Sequence, residues 1–224
     1  VIPAFASGLD ARPAVKAFFM DRGEPIVDAV VSLTGFSLVG GPAYNDTDAA
    51  QEMLEALDVP YLAVQGLEFQ SLQDWESSSM GLMPVEATMM VAIPELDGAT
   101  GSMVFGGRSE LSAGEKFDMQ PAPERIDRLA DRVARLVGLR HTPIAERKVA
   151  IVLFNFPPNS GAAGTAAHLS VFESLFNTLS AMRDEGYHVD LPDSHAELRD
   201  AILKGNAKQF GAEANVFQRV PVDD

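Results

Sequence analysis

Lys148–Tyr187, KVAIVLFNFPPNSGAAGTAAHLSVFESLFNTLSAMRDEGY, carries the pattern that decides the fold. The apolar run Lys148–Phe154 predicts a buried strand. A loop with Asn155, Pro157, Pro158, Asn159, Gly161, Gly164 and Thr165 follows. Leu169, Phe172, Phe176 and Leu179 then recur at the three- and four-residue spacing of an amphipathic helix, and Gly186 ends it. A strand that ends in a rigid polar loop and opens a helix is where α/β proteins commonly place a ligand.

The same alternation runs upstream. Val1–Phe5 reads as a short strand, and Asp10 caps a helix with Pro13 in its first turn. Ala29–Leu33 is a buried strand ending at TGFSLVGG. Asp46 or Thr47 caps a helix whose Ala50, Met53, Leu54 and Leu57 share a face. Val59–Val64 is a further strand. Ser71 with Asp74 resembles a capping box opening a helix through Trp75. Pro84 starts PVEATMMVA, a helix expected to end before Pro94, because the residue ahead of a proline avoids helical angles. Ser102–Phe105 is a weak strand. Pro123–Val137 is the clearest helix, with Ile126, Leu129, Val133 and Leu136 on one side and Glu124–Arg128 and Asp131–Arg135 at i,i+4 spacing. Asp193 or Ser194 caps a last helix.

This order predicts an α/β fold of mainly parallel sheets flanked by helices, a flavodoxin-like or Rossmann-like sandwich. The polar stretch Gly138–Arg147 sets a boundary between an α/β domain at 1–145 and the start of a second α/β unit at 146–224. The chain begins and ends inside such units, so it reads as an internal piece of a longer protein.

Composition excludes several function classes. A net charge of −15 opposes nucleic-acid phosphate and anionic membrane surfaces. The absence of cysteine excludes disulfides and thiolate metal sites, and fits cytoplasmic residence. No run of eighteen apolar residues exists to span a membrane, and no signal peptide is visible. The histidines His141, His168, His188 and His195 form no i,i+4 pair, which argues against a histidine metal site.

Three loops carry candidate chemistry. Asn155–His168 can cradle an anion with backbone N–H groups, but it lacks the Lys of a phosphate-binding loop and the glycine spacing of a dinucleotide site. A plain strand-to-helix turn fits it as well. Pro94–Gly98, PELDG, places Glu95 and Asp97 two apart in a loop, where they can bind a hard cation or exchange protons. Asp-Gly is equally an ordinary turn signal. Thr34–Pro42, TGFSLVGGP, follows the carboxyl end of a strand, the ligand edge of open α/β sheets, although its glycines also suit close backbone packing.

AVVSLTGFSLVGGPA, LDVPYLAVQGLEFQSLQDW, AIPELDG and FPPNSGAAGTAAHLSVFESLF, in that order, resemble the large H subunits of magnesium chelatases, with the large subunits of cobaltochelatases as the related branch. The likeness covers essentially the whole chain. The wording from Gly164 to Leu169 resembles the magnesium branch. Many members have Asp-Lys-Gly-Asn where this chain has Asn159-Ser160-Gly161-Ala162, so a charged pair is missing there.

The resemblance implies a porphyrin-binding subunit that inserts Mg2+ into protoporphyrin IX for (bacterio)chlorophyll synthesis. It implies two partner subunits, an AAA+ ATPase that hydrolyses ATP and a second accessory subunit, with residence in bacterial cytoplasm or chloroplast stroma. Mg2+ enters as a substrate ion and no permanently bound cofactor is expected. Glu95 and Asp97 are the expected catalytic and transient Mg2+-binding carboxylates. Thr34, Asn155, Asn159, Thr165 and His168 are the expected substrate-binding residues. The other readings are a cobaltochelatase component acting on a corrinoid precursor and a non-catalytic α/β module that binds a small ligand or a partner. On the first reading this piece serves as scaffold and part of a cavity wall, inactive alone.

Overall fold

The computed structural model describes residues 1–41, 43–109, 118–155, 163–164, 166 and 168–204. It forms two compact units, Val1–His141 and a second beginning at Thr142.

In the first unit, α1 (Arg12–Phe18) leads into the small hairpin of β1 (Met20–Asp21) and β2 (Glu24–Pro25). Strand β3 (Val30–Ser32) is followed by a second hairpin, β4 (Gly40–Gly41) with β5 (Tyr44–Asn45), then α2 (Thr47–Leu57) and the long β6 (Tyr61–Ser71). Next come α3 (Leu72–Ser77) and a helical run of α4 (Pro84–Glu86), a π-helical stretch at Ala87–Ala92 and α5 (Ile93–Asp97). Strands β7 (Met103–Ser109) and β8 (Asp118–Pro121) and helix α6 (Pro123–His141) complete the unit.

The main sheet has the order β3-β6-β7-β8. Both β3 and β7 run parallel to β6, and β8 is antiparallel to β7. Parallel neighbours need crossovers; here α2 links β3 to β6, and α3 to α5 link β6 to β7. The mainly parallel α/β expectation therefore holds. Strand β6 is central, and Tyr61–Gln65 are all buried, which explains its continuous apolar reading. One core cluster joins Val15 of α1, Met53 and Leu57 of α2, Val30 of β3, and Tyr61 and Ala63 of β6. A smaller one joins Leu67, Leu72 and Val104, with Trp75 and Leu82 against it.

Local signals place several helix starts. Asp46 accepts the Ala49 N–H at 3.1 Å, and Ser71 Oγ accepts the Asp74 N–H at 3.0 Å. Helix α1 starts one residue later than expected: Ala11 occupies the cap position, while Asp10 accepts the Arg12 N–H at 2.9 Å.

Other expectations are corrected. Val1–Phe5 forms no strand and lies exposed; Asp10 instead bridges to Val39. The helix from Pro84 does not stop before Pro94. Proline removes a donor and crowds the carbonyl four residues back, which an α-helix interior cannot absorb. Here the wider π turns precede it, and the chain continues helically to Asp97. Gly98, at φ +111°, closes the run: its N–H donates to Glu95 O at 3.1 Å and that of Ala99 to Pro94 O at 3.0 Å. This is a Schellman motif.

The second unit contains α7 (Val171–Asp184) and α8 (His195–Lys204), which pack together. Gly186, at φ +96°, repeats the Schellman closure, with bonds from Gly186 N–H to Arg183 O and Tyr187 N–H to Met182 O, both 3.0 Å. Ser194 Oγ accepts the Glu197 N–H at 3.2 Å. The strand expected at Lys148–Phe154 is absent. Val152 is 92% and Phe154 65% exposed. An apolar run becomes a buried strand only when neighbouring strands satisfy its backbone, and among the described residues of this unit there is one isolated bridge, Asn155 to Ala163.

Candidate functional site

The Thr34 and PELDG loops, 59 residues apart at their point of contact, meet through one buried group. Asp97 is 1% exposed, and its Oδ2 accepts the Leu38 N–H at 2.7 Å. Ser37 Oγ donates to Val39 O at 3.1 Å and also lies close enough to Asp97 to favour its charged form. Asp97 Oδ1 has no hydrogen-bond partner among the described residues. Burial raises the Asp97 carboxyl above the usual aspartate range, partly offset by Ser37 and the Leu38 N–H. Tyr61 is beside it at the amino end of β6. Its hydroxyl is buried without a partner among the described residues, and burial, reinforced by the Asp97 charge, pushes the phenol up to about 12.

This arrangement changes how the two carboxylates read. Glu95 and Asp97 were expected together in a loop, but α5 carries both. Two helical positions turn the chain by about 200°, so they face apart. Glu95 is exposed and borders a cleft of about 1010 Å3 under α6. Asp97 points inward near the Tyr61 end of β6, where the Thr100 N–H donates to Tyr61 O at 2.9 Å. That is the amino end of the strand, opposite the edge that usually meets ligands. Thr34 is at that ligand edge: it is exposed just past β3, with its Oγ1 2.9 Å from Ser32 Oγ.

In the second unit, Asn155 is exposed, and the Gly164 N–H donates to Phe154 O at 2.7 Å, folding the chain back on itself. His168 is exposed at φ +60°, a left-handed angle uncommon outside glycine. Asn159 and Thr165 lie outside the described residues. Among the described residues no three His, Asp or Glu side chains converge to hold a metal ion, and no helix is long and apolar enough to cross a membrane.

Sequence reasoning missed the cleft itself. Its wall is the flank of α6 with Arg125, Arg128, Arg132 and Arg135; its floor includes Gln65, Ser102 and Val104. Arg125 stacks over Trp75 at 4.9 Å from the ring centroid. Arg132 Nη1 donates to Gly101 O at 2.7 Å. A Cβ on Gly101 would stand 2.7 Å from that same nitrogen, so the glycine permits this approach. Of the two expected ion pairs on α6, Arg128 pairs with Glu124, whereas Asp131–Arg135 is not formed. The available signal was Gln65, a lone amide within the apolar run of β6.

A family model described as CobN/Magnesium Chelatase matches residues 1–224. The magnesium chelatase H subunit of Cereibacter sphaeroides is 54% identical over 100% of this chain and 20% of its own length. That of Rhodobacter capsulatus is 52% identical over 99% of the chain and 19% of its length. The chloroplastic ChlH subunit of Oryza sativa subsp. japonica is 40% identical over 99% of the chain and 16% of its length. The chain thus spans a fifth or less of these curated relatives. With the Thr34 and PELDG loops joined at Leu38 and Asp97 and the match running end to end, the chain belongs to the CobN/magnesium chelatase family.

Proposed function

We propose that this chain is a segment of the porphyrin-binding large subunit of a magnesium chelatase, which inserts Mg2+ into protoporphyrin IX in (bacterio)chlorophyll synthesis. The observation that carries the reading is the 54% identity, across the whole chain, to a protein named as the H subunit of a magnesium chelatase. It favours magnesium over the cobalt branch. An AAA+ ATPase and a second accessory subunit supply ATP hydrolysis, in bacterial cytoplasm or chloroplast stroma. Mg2+ passes through as substrate, with no permanently bound cofactor, and the isolated segment is inactive.

Insertion must remove two pyrrole protons and strip water from a strongly hydrated ion. A reachable carboxylate suits both tasks, and exposed Glu95 at the cleft rim fits better than Asp97. Asp97, bonded to Leu38, acts as a positioning residue that holds the Thr34 loop. Thr34, Asn155 and His168 are exposed and available to substrate; Asn159 and Thr165 are proposed alongside them. The test reconstitutes the full-length subunit with its two partners, ATP, Mg2+ and protoporphyrin IX. Mg-protoporphyrin is expected by absorbance, with Glu95→Gln lowering kcat by about 10²-fold or more. Cobalt insertion into a corrinoid without Mg-protoporphyrin would overturn the reading.

A further inference from the structure

We infer that the cleft under α6 is a binding site for a flat, largely apolar dicarboxylate, with its carboxylates held by the arginines of α6. The chain as a whole carries −15, yet this cleft is lined by Arg125, Arg128, Arg132 and Arg135 against Glu95 and Asp131, and still carries an excess of positive charge after Glu124 at its edge pairs with Arg128. Such a local reversal of sign draws an anion to this one place. Among the described residues Arg135 has no ion-pair partner, since the pair with Asp131 is not formed.

The floor gives a second, independent sign of a polar occupant. Gln65 is 1% exposed, and its Oε1 has no hydrogen-bond partner among the described residues. Ser102 Oγ and Arg125 Nε are also buried and unpartnered there. Arg125 Nε and Ser102 Oγ can donate to a ligand carboxylate, whereas Gln65 Oε1 accepts and calls for an N–H or O–H on the ligand body; such groups are costly to leave unsatisfied. Guanidinium groups select carboxylate or phosphate by their planar fork of donors. Arg125 to Arg135 spans ten residues of helix, about 15 Å of axis, so the positive charge is spread out rather than focused. Spread charge suits separated carboxylates on an extended body better than one phosphate. Trp75, Leu82, Val91 and Leu136 supply the apolar surface for that body.

Carboxylate substituents on a tetrapyrrole would meet this description; that identity, unlike the site itself, rests on the proposed function. Trp75 is the only tryptophan and lines the cleft, so it reports binding directly. The 224-residue chain is titrated with deuteroporphyrin IX, with its dimethyl ester, and with naphthalene-2,6-dicarboxylate. Both free acids should quench Trp75 saturably, and the ester should bind at least roughly tenfold more weakly, as loss of charge-assisted hydrogen bonds implies. The double variant Arg128→Gln/Arg135→Gln changes two exposed side chains, so the fold is retained; it should weaken both acids about tenfold and leave the ester unchanged. Arg199→Gln, in the second unit, should alter neither. Equal binding of acid and ester, or acid binding unaffected by the double variant, would overturn the site. Variant-sensitive binding of naphthalenedicarboxylate with no binding of the porphyrin acid supports the carboxylate site and rejects the tetrapyrrole as its occupant.

Discussion

Ala29–Leu33 and Val149–Phe154 are both short apolar runs, each followed by a loop with glycines, and they end in opposite states. The first delivers β3, with Val30 7% exposed and paired to Tyr61 of β6. The second lies in the open, with Val152 92% exposed. Composition does not separate them. What separates them is β6, a buried strand that offers the first run a hydrogen-bonding edge. Strand formation in a parallel sheet is a property of the pair, whereas helix closure, seen at Gly98 and Gly186 alike, is a property of the local chain.

The strongest way to break this comparison is to truncate a side chain in each region. Leu62→Ala, at a fully buried position of β6, should cost about 2–5 kcal/mol. Val152→Ala should stay within about 0.5 kcal/mol of the parent. Urea unfolding of the 224-residue chain, followed by Trp75 fluorescence and helical circular dichroism, measures both; equal destabilisation would mean that Val149–Phe154 is packed after all.

A smaller effect is expected at the link between the Thr34 and PELDG loops. Asp97→Ala leaves the Leu38 N–H buried without its acceptor and should cost about 1–3 kcal/mol. Asp97→Asn keeps an acceptor and removes a buried charge, so it should lie within about 1 kcal/mol of the parent at pH 7. The sign with pH follows from the raised Asp97 carboxyl. Between the ordinary aspartate range and that raised value the folded state holds more protons than the unfolded one. Its contribution to stability therefore falls as pH rises through this window and is flat above it. Asp97→Asn should remove that component of the slope in urea midpoints taken across acidic pH; an unchanged slope would mean the carboxylate is solvated.

The smallest effect sharpens the other half of the comparison. Gly98→Ala and Gly186→Ala each force a side chain into a left-handed angle and should each cost about 1–2 kcal/mol. Similar losses in thermal unfolding would show that helix closure is equally local in both units. A loss at Gly98 alone would show that tertiary packing dominates there.

What the sequence revealed follows the same division. The caps at Asp46 and Ser71 and the stop at Gly186 depend on residues within one turn, and all three were legible. The α/β order was legible because β6 is buried along Tyr61–Gln65 and reads as an unbroken apolar run. Val1–Phe5 and Lys148–Phe154 were misread because no partner strand can be seen in a run itself. The placement of Glu95 and Asp97 in a loop was misread because Pro94 reads as a helix stop, whereas α5 carries both and points them apart. The arginines of α6 were legible as i,i+4 partners but not as the wall of a cleft, since their opposite wall comes from residues up to 70 positions away, from Gln65 to Arg135.

The π stretch Ala87–Ala92 has one further consequence. A π turn closes each bond one residue later than an α turn, so the segment works as a phase shifter between Pro84 and Asp97. Deleting a single residue there would tighten the coil and turn everything beyond it by about 100°. Asp97 would swing away from Leu38, and Glu95 would leave the rim of the cleft. The angular setting of both carboxylates is thus fixed by residue count within a short stretch that carries neither of them.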